Sequence, residues 1–169
     1  MARPEWEEYY VQIAKAVATR ATCNRKHVGA VIVRDQSILA TGYNGSVKGT
    51  PHCDSHGHIM EDGHCVRTVH AEANAVAQAA KRGVSLEGGT AYVTCCPCRG
   101  CFQLLANAGV REIIYAESYR NEAISQMALE AGVKVKSLES SLIRPKDMGL
   151  SEDLVDGLNI RGSVLPRSA

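Results

Sequence analysis

The 169-residue chain has no excess of either charge: 19 Lys and Arg face 18 Asp and Glu, for a net charge of +1. It also lacks a stripe of clustered cations. Electrostatic binding of nucleic acid needs such a stripe, because affinity there comes from neutralising phosphates and releasing counterions. No nucleic-acid partner is therefore expected. Pairs such as Arg25-Lys26 and Lys81-Arg82 read as solvated surface, although a small anionic ligand would need only one or two such residues. No apolar run reaches transmembrane length, so no membrane partner is expected. Met1-Ala2-Arg3-Pro4-Glu5 opens no apolar stretch of the signal-peptide type, and the expected location is cytoplasmic. Internal repeats are absent. Cysteine, by contrast, is plentiful: seven residues, an odd number. In a reducing compartment, metal binding explains such a set better than disulfides do.

The length suits one domain. Residues 4–21 predict an amphipathic helix with Trp6, Tyr9, Tyr10, Ile13, Val17 and Ala21 at helical spacing. Residues 28–33 are almost all apolar and rich in β-branched types, as in a strand buried on both faces. A polar turn at 34–37 and a strand over 38–43 predict an antiparallel pair. Residues 44–68 are rich in Gly, Asp, His and Cys and show no sustained period; a loop that long is usually functional or tied by metal. Beyond it the pattern predicts helices over 69–82, 97–108 and 121–131, each followed by glycine, and strands over 91–94, 111–115 and 133–138. The order α-β-β-α-β-α-β-α-β predicts a three-layer α/β/α sandwich around a five-stranded mixed sheet. A catalytic domain is expected over 1–138. Residues 139–169 pattern weakly and are expected to be a tail, an interface arm or partly disordered.

Two segments carry the chemistry. His70-Ala71-Glu72 opens one predicted helix, and Pro97-Cys98-Arg99-Gly100-Cys101 opens another directly after a strand. Cys98 and Cys101, three apart in a first helical turn, face the same way, where the helix dipole favours thiolates. Two thiolates and one imidazole suit Zn²⁺ and leave a fourth position for water, the pattern of a catalytic site. Glu72 is the candidate acid–base group, since zinc lowers the pKa of bound water to about 7 and a neighbouring carboxylate can take and return the proton. Either half alone is a weak signal. In order, and both at helix starts, they are specific.

The H-x-E and P-C-x-x-C pair is the signature of zinc nucleobase deaminases. The chain resembles the cytidine and deoxycytidylate deaminase superfamily from about Thr22 to Val135, and within it the dCMP deaminases. The residues concerned are Val28-Gly29-Ala30-Val31-Ile32-Val33, Gly42-Tyr43-Asn44-Gly45, the stretch from Gly63 to Ala75, and the Pro97–Cys101 box. The resemblance implies a cytidine deaminase-like fold and hydrolytic attack on C4 of cytosine by zinc-activated hydroxide, converting dCMP to dUMP for thymidylate synthesis. It also implies that Asn44 contacts base or sugar, that backbone around Ala71 meets the base edge, and that Glu72 protonates N3 before ammonia leaves. Arg25, Lys26, Lys48, Arg67 and Arg120 are candidates for the substrate phosphate, and Tyr115 and Tyr119 for a wall of the base pocket. Cys95 and Cys96 depart from the family pattern and are expected to pack rather than ligate.

Some dCMP deaminases carry a second, structural zinc, and Cys23 and Cys53 resemble two of its ligands. The rest would come from His64, Cys65 or a neighbouring His. The resemblance further implies a homo-oligomer, commonly a hexamer, and regulation by dCTP and dTTP, with Mg²⁺ accompanying a triphosphate effector. Alternatives at this point are deamination of another substrate (free cytidine, a tRNA adenosine) and a non-catalytic, zinc-stabilised nucleotide-binding protein. The presence of Glu72 speaks against the last.

Overall fold

A computed structural model describes residues 3–118 and 122–139; most of the expected tail, with Tyr119 and Arg120, lies outside the described residues. Helix α1 covers Trp6–Ala18, and strands β1 (Gly29–Arg34) and β2 (Ser37–Tyr43) form a hairpin. Its turn holds Asp35 and Gln36 at φ of 50° and 59°, the paired left-handed residues of a two-residue hairpin. The short pieces β3 (Gly45–Ser46), α2 (Cys53–His56), β4 (Met60–Glu61), β5 (His64–Cys65) and β6 (Thr68–Val69) organise the segment that the sequence reads as a long loop. They are followed by α3 (Ala71–Arg82), β7 (Thr90–Cys95), α4 (Arg99–Asn107), β8 (Glu112–Glu117), α5 (Glu122–Ala131) and β9 (Lys134–Ser137).

The five long strands lie in the order β2-β1-β7-β8-β9. The β1–β2 and β1–β7 pairs are antiparallel, whereas β7–β8 and β8–β9 are parallel. The predicted mixed sheet and its element order are thus present. Alternate residues of β1 serve opposite faces. Ala30 and Ile32 join the core beneath α3, α4 and α5, while Val31 and Val33 join the core beneath α1. That double burial is what the β-branched run predicts.

Close helix–sheet approach sets where α3 and α4 start. On α3 the residues facing the sheet side of the core are Ala71, Ala75 and Ala79, all buried, so the helix can lie close. Gly42 on β2 completes this fit: a Cβ there would run into the Ala71 carbonyl and the backbone nitrogen of Ala75. Gly29 does the same for α1, against the Ala14 carbonyl. Phe102 and Leu105 anchor α4 in the shared core, each burial contributing about 1.5–3 kcal/mol.

Helix α1 differs from its sequence reading in two ways. Thr19 Oγ1 donates to the Ala16 carbonyl at 2.7 Å and closes the last turn, so the helix stops short of Ala21. The buried stripe is Tyr10, Val11, Ala14 and Ala18, whereas Trp6 and Tyr9 are 47% and 42% exposed. Small residues face the sheet at the tight contact with Gly29, and the large rings gather at the helix start, where Trp6 stacks on Tyr10 with centroids 5.6 Å apart.

Candidate active site

The catalytic candidates converge where α3 and α4 begin. His70 is the residue before α3, extended at φ −67° and ψ 155°, and Cys98 holds the same place before α4 at φ −72° and ψ 167°. Cys101 lies in the first turn of α4 and Glu72 in that of α3. Nδ1 of His70 is 3.6 Å from Sγ of Cys98 and 3.3 Å from Sγ of Cys101. Tetrahedral zinc, with Zn–S about 2.3 Å and Zn–N about 2.0–2.1 Å, places such donors roughly 3.5 Å apart. The three donors therefore fit the ion in both type and spacing.

Electrostatics at the cluster follow from its crowding. The Cys98 thiol is pulled down to about 3, first by its hydrogen bond with Cys101 and then by that with His70. Cys101 is pushed up by the same Cys98 contact and by burial. The hydrogen bond to Cys98 raises His70. Glu72 is buried, and loss of solvent raises its carboxyl. Loss of solvent thus favours the protonated form, the form from which an acid–base group delivers a proton.

His70, Glu72 and Cys98 line a cavity of about 350 Å³, shared with Asn44, Ala71, Cys95, Cys96 and the cations Arg25 and Lys26. Asn44 is buried and braces the wall. The Val28 N–H donates to its Oδ1 at 2.7 Å, and its Nδ2 donates to the Lys26 carbonyl at 2.8 Å. Ala71 is fully buried at the cavity floor. Cys95 and Cys96 are buried, and neither joins the His70 donor set; Lys26 Nζ donates to Cys95 Sγ at 3.2 Å and pairs with Glu117 at 3.2 Å. Tyr115 sits in the core within β8 and does not line the cavity, because its alternation along the strand turns it beneath the helices. A separate, smaller cavity of about 240 Å³ lies between Trp6, Tyr10, Tyr92 and the Gln36 turn and is lined by neither His nor Cys.

A second donor cluster closes the segment before His70. Sγ of Cys23 lies 3.8 Å from Nδ1 of His58, and Sγ of Cys53 lies 3.5 Å from Sγ of Cys65. All four donor atoms fall within 4.8 Å of one another. The structure thus brings Cys23 and Cys53 together and adds Cys65 and His58; His64 faces the catalytic cavity instead. Burial works against the Cys65 thiolate, but hydrogen bonds from His58 and from the Arg67 backbone lower it to about 6. Burial raises Cys53, with its hydrogen bond to Cys65 adding to the effect. Sequence reasoning did not single out His58 from its neighbours His52, His56 and His64. Only the fold of α2 and the β4–β5 hairpin, Met60↔Cys65 and Glu61↔His64, decides which imidazole reaches the thiols.

Comparison with known proteins bears on all of this. Residues 4–117 match the cytidine and deoxycytidylate deaminase zinc-binding region. The chain is 44% identical over 140 residues to ComE operon protein 2 of Bacillus subtilis (strain 168), covering 82% of this chain and 74% of that protein. It is 38% identical over 127 residues to the deoxycytidylate deaminase of Mycobacterium phage D29, covering 68% of this chain and 97% of the phage protein. The crystal structure of dCMP deaminase from the cyanophage S-TIM5 in complex with dCMP and dUMP superposes with a TM-score of 0.69 at 33% identity, over 82% of this chain and 100% of the other. No described helix is long and apolar enough to cross a membrane.

Proposed function

Since the chain belongs to the cytidine and deoxycytidylate deaminase family, we propose that it converts dCMP and water to dUMP and ammonia. The observation that carries this is the buried Glu72 beside the His70, Cys98 and Cys101 donors, in a cavity open to a ligand. The phage relative named deoxycytidylate deaminase and the structural neighbour bound to dCMP and dUMP support the choice of substrate.

In this reading His70, Cys98 and Cys101 hold Zn²⁺, which when bound supplies a water acidified to a pKa near 7. Glu72 would take one proton from the attacking water and deliver it to N3 of the base as the oxygen adds at C4; it would then take the second proton from that new hydroxyl and pass it to the amino nitrogen, whose bond to C4 breaks to release ammonia. Burial suits it to this shuttle, because the protonated carboxyl costs little to keep away from solvent. The backbone at Ala71 offers hydrogen-bonding groups to the base edge, and Asn44 fixes the wall that faces base and sugar. The two-thiolate set balances the ion's charge, so no further counter-ion is needed.

The proposal also includes a structural zinc on Cys23, Cys53, His58 and Cys65. The Cys53–Cys65 spacing of 3.5 Å is close to the roughly 3.8 Å that two sulfurs adopt on one tetrahedral zinc. On the family resemblance it extends to a cytoplasmic homo-oligomer, a hexamer, controlled by dCTP and dTTP with Mg²⁺ on the triphosphate, and to a catalytic domain over 1–138. Assays of dCMP, cytidine and tRNA in parallel, with and without dCTP or dTTP, test the activity and its control. A preference for unphosphorylated cytidine would overturn the substrate assignment.

A further inference from the structure

Alanines flank Asn74 on helix α3, at Ala71, Ala73, Ala75 and Ala77. Asparagine is a weaker helix former than alanine, because its amide competes for backbone groups. An alanine in its place would serve the helix better. The amide is engaged elsewhere: Asn74 Nδ2 donates to the Tyr43 carbonyl at 2.8 Å. The Asn74 backbone N–H donates to the His70 carbonyl at 3.0 Å. One residue thus reaches both the peptide group that leads into Asn44 and the proposed zinc ligand that precedes α3.

We infer that Asn74 is a positioning residue: through the Tyr43 carbonyl it sets where Asn44 stands relative to Glu72, and so how base and sugar are held over the proton carrier. This rests on the nucleotide reading above and deepens it. Asn74 does not line the cavity, so its influence on a ligand passes through its neighbours.

On one side Asn44 is fixed to the segment before β1. Its backbone N–H donates to the Val28 carbonyl at 3.1 Å, and its carbonyl accepts from the Thr22 N–H at 3.2 Å. Its side chain accepts from the Val28 N–H and donates to the Lys26 carbonyl. A primary amide has two N–H donors and two lone pairs on oxygen, so the wall takes one of each and leaves one of each for a ligand. None of these four bonds reaches α3. There the close fit at Gly42, against the Ala71 carbonyl and the Ala75 nitrogen, sets how near strand and helix lie. Apolar packing is non-directional and does not stop one element sliding along the other. A hydrogen bond does, because it weakens steeply away from its preferred angle. A misplacement of about 1 Å can cost about 10²-fold in rate.

The test is a double-mutant cycle on the zinc-loaded protein: wild type, Asn74→Asp, Asn44→Ala and the two combined, with Asn74→Ala beside them. The readouts are kcat and KM for dCMP, calorimetric binding of dUMP, zinc content and melting temperature. Asn74→Asp keeps the side chain's shape without its donor, and Asn74→Ala removes the donor without adding charge. Both are expected to raise KM and weaken dUMP binding by about 10-fold, with zinc retained and kcat within about threefold of the wild type, the pattern of lost uniform binding. Asn74→Ala, the better helix former, should keep the wild-type melting temperature. In the Asn44→Ala background, Asn74→Asp should add less than about twofold to KM. Full additivity overturns the route through Asn44. A lowered melting temperature with KM unchanged makes Asn74 merely structural and overturns the inference. A wild type that prefers unphosphorylated cytidine defeats the substrate reading, and the same cycle with cytidine and uridine then decides Asn74. With dCMP as the preferred substrate, an unchanged KM in both Asn74 variants defeats this inference alone.

Discussion

Nδ1 of His70 stands 3.3 Å from Sγ of Cys101, although 31 positions separate them in the chain. The sheet closes that distance. It places the starts of α3 and α4 side by side, and Glu72 lies in the first turn of α3 without joining the donor set. The proposed ligand His70 and the proposed proton carrier Glu72 are thus different side chains on adjacent backbone, and they can be separated experimentally.

Glu72→Gln is expected to lower kcat by about 10²–10⁴-fold while zinc content, measured by atomic emission, stays that of the wild type. Loss of the metal with the activity would mean that Glu72 helps hold the ion.

The same burial predicts a pH signature in metal-free protein. The Glu72 carboxyl is raised in the native state, so the native state binds its proton more tightly than the unfolded chain does. The associated stability is full below the ordinary glutamate value of about 4.3 and declines as pH rises through the raised native value. Melting temperatures of metal-free wild type should therefore fall more steeply from pH 4 to pH 8 than those of Glu72→Gln. Parallel slopes would contradict a buried, protonated Glu72.

Metal content distinguishes the two clusters. Fully loaded wild type should carry two zinc ions per chain, and Cys98→Ser and Cys53→Ser one each. Losing the ion at Cys53 should lower the melting temperature, because the cross-link orders residues on both sides of the segment before His70. A single ion in the wild type would remove the second site.

Gly42→Ala tests the fit between sheet and helix. The added methyl meets the backbone of Ala71 and Ala75, which cannot move aside as a flexible side chain would. Overpacking of this kind costs about 1–3 kcal/mol. The displaced helix start also carries His70 and Glu72, so kcat should fall together with stability in denaturant titrations. A variant with normal stability and activity would show that α3 can shift freely.

Asn44→Ala removes two partly buried hydrogen bonds, to Val28 and Lys26. Groups left without partners cost about 1–3 kcal/mol each, so unfolding should show a loss of that order even without substrate. Wild-type stability would restrict Asn44 to ligand contact.

Local pattern carried much of this structure. The buried run at residues 28–33 and the glycines at 83, 109 and 132 after helices are decided by neighbours in the chain and sit where the sequence predicts, whereas the helix expected from Pro97 begins only at Arg99, with Cys98 extended before it. The α1 stripe was legible in part: Tyr10 is buried and Ile13 and Val17 pack against the same core, whereas the burial of Val11, Ala14 and Ala18 goes with the close approach of Ala14 and Ala18 to Gly29. The choice of His58 among four nearby imidazoles was illegible. It depends on α2 and a two-residue hairpin whose formation no periodicity announces. The anchoring of Arg25 on Gly63 joins parts of the chain 38 positions apart, beyond any local signal.

The short ladder Gly45↔Val69 and Ser46↔Thr68 has an architectural consequence. It works as a stem: the chain leaves for its cysteine-rich excursion on one side and returns on the other, one residue before His70. Because closure entropy grows slowly, with about 0.6 kcal/mol for each doubling of loop length, stretches of that excursion between its metal-donor residues can be lengthened at small entropic cost. The sheet would not need to be rethreaded. Length variation within the appendage and a constant start of α3 are thereby made compatible, with the boundary between them drawn by four residues.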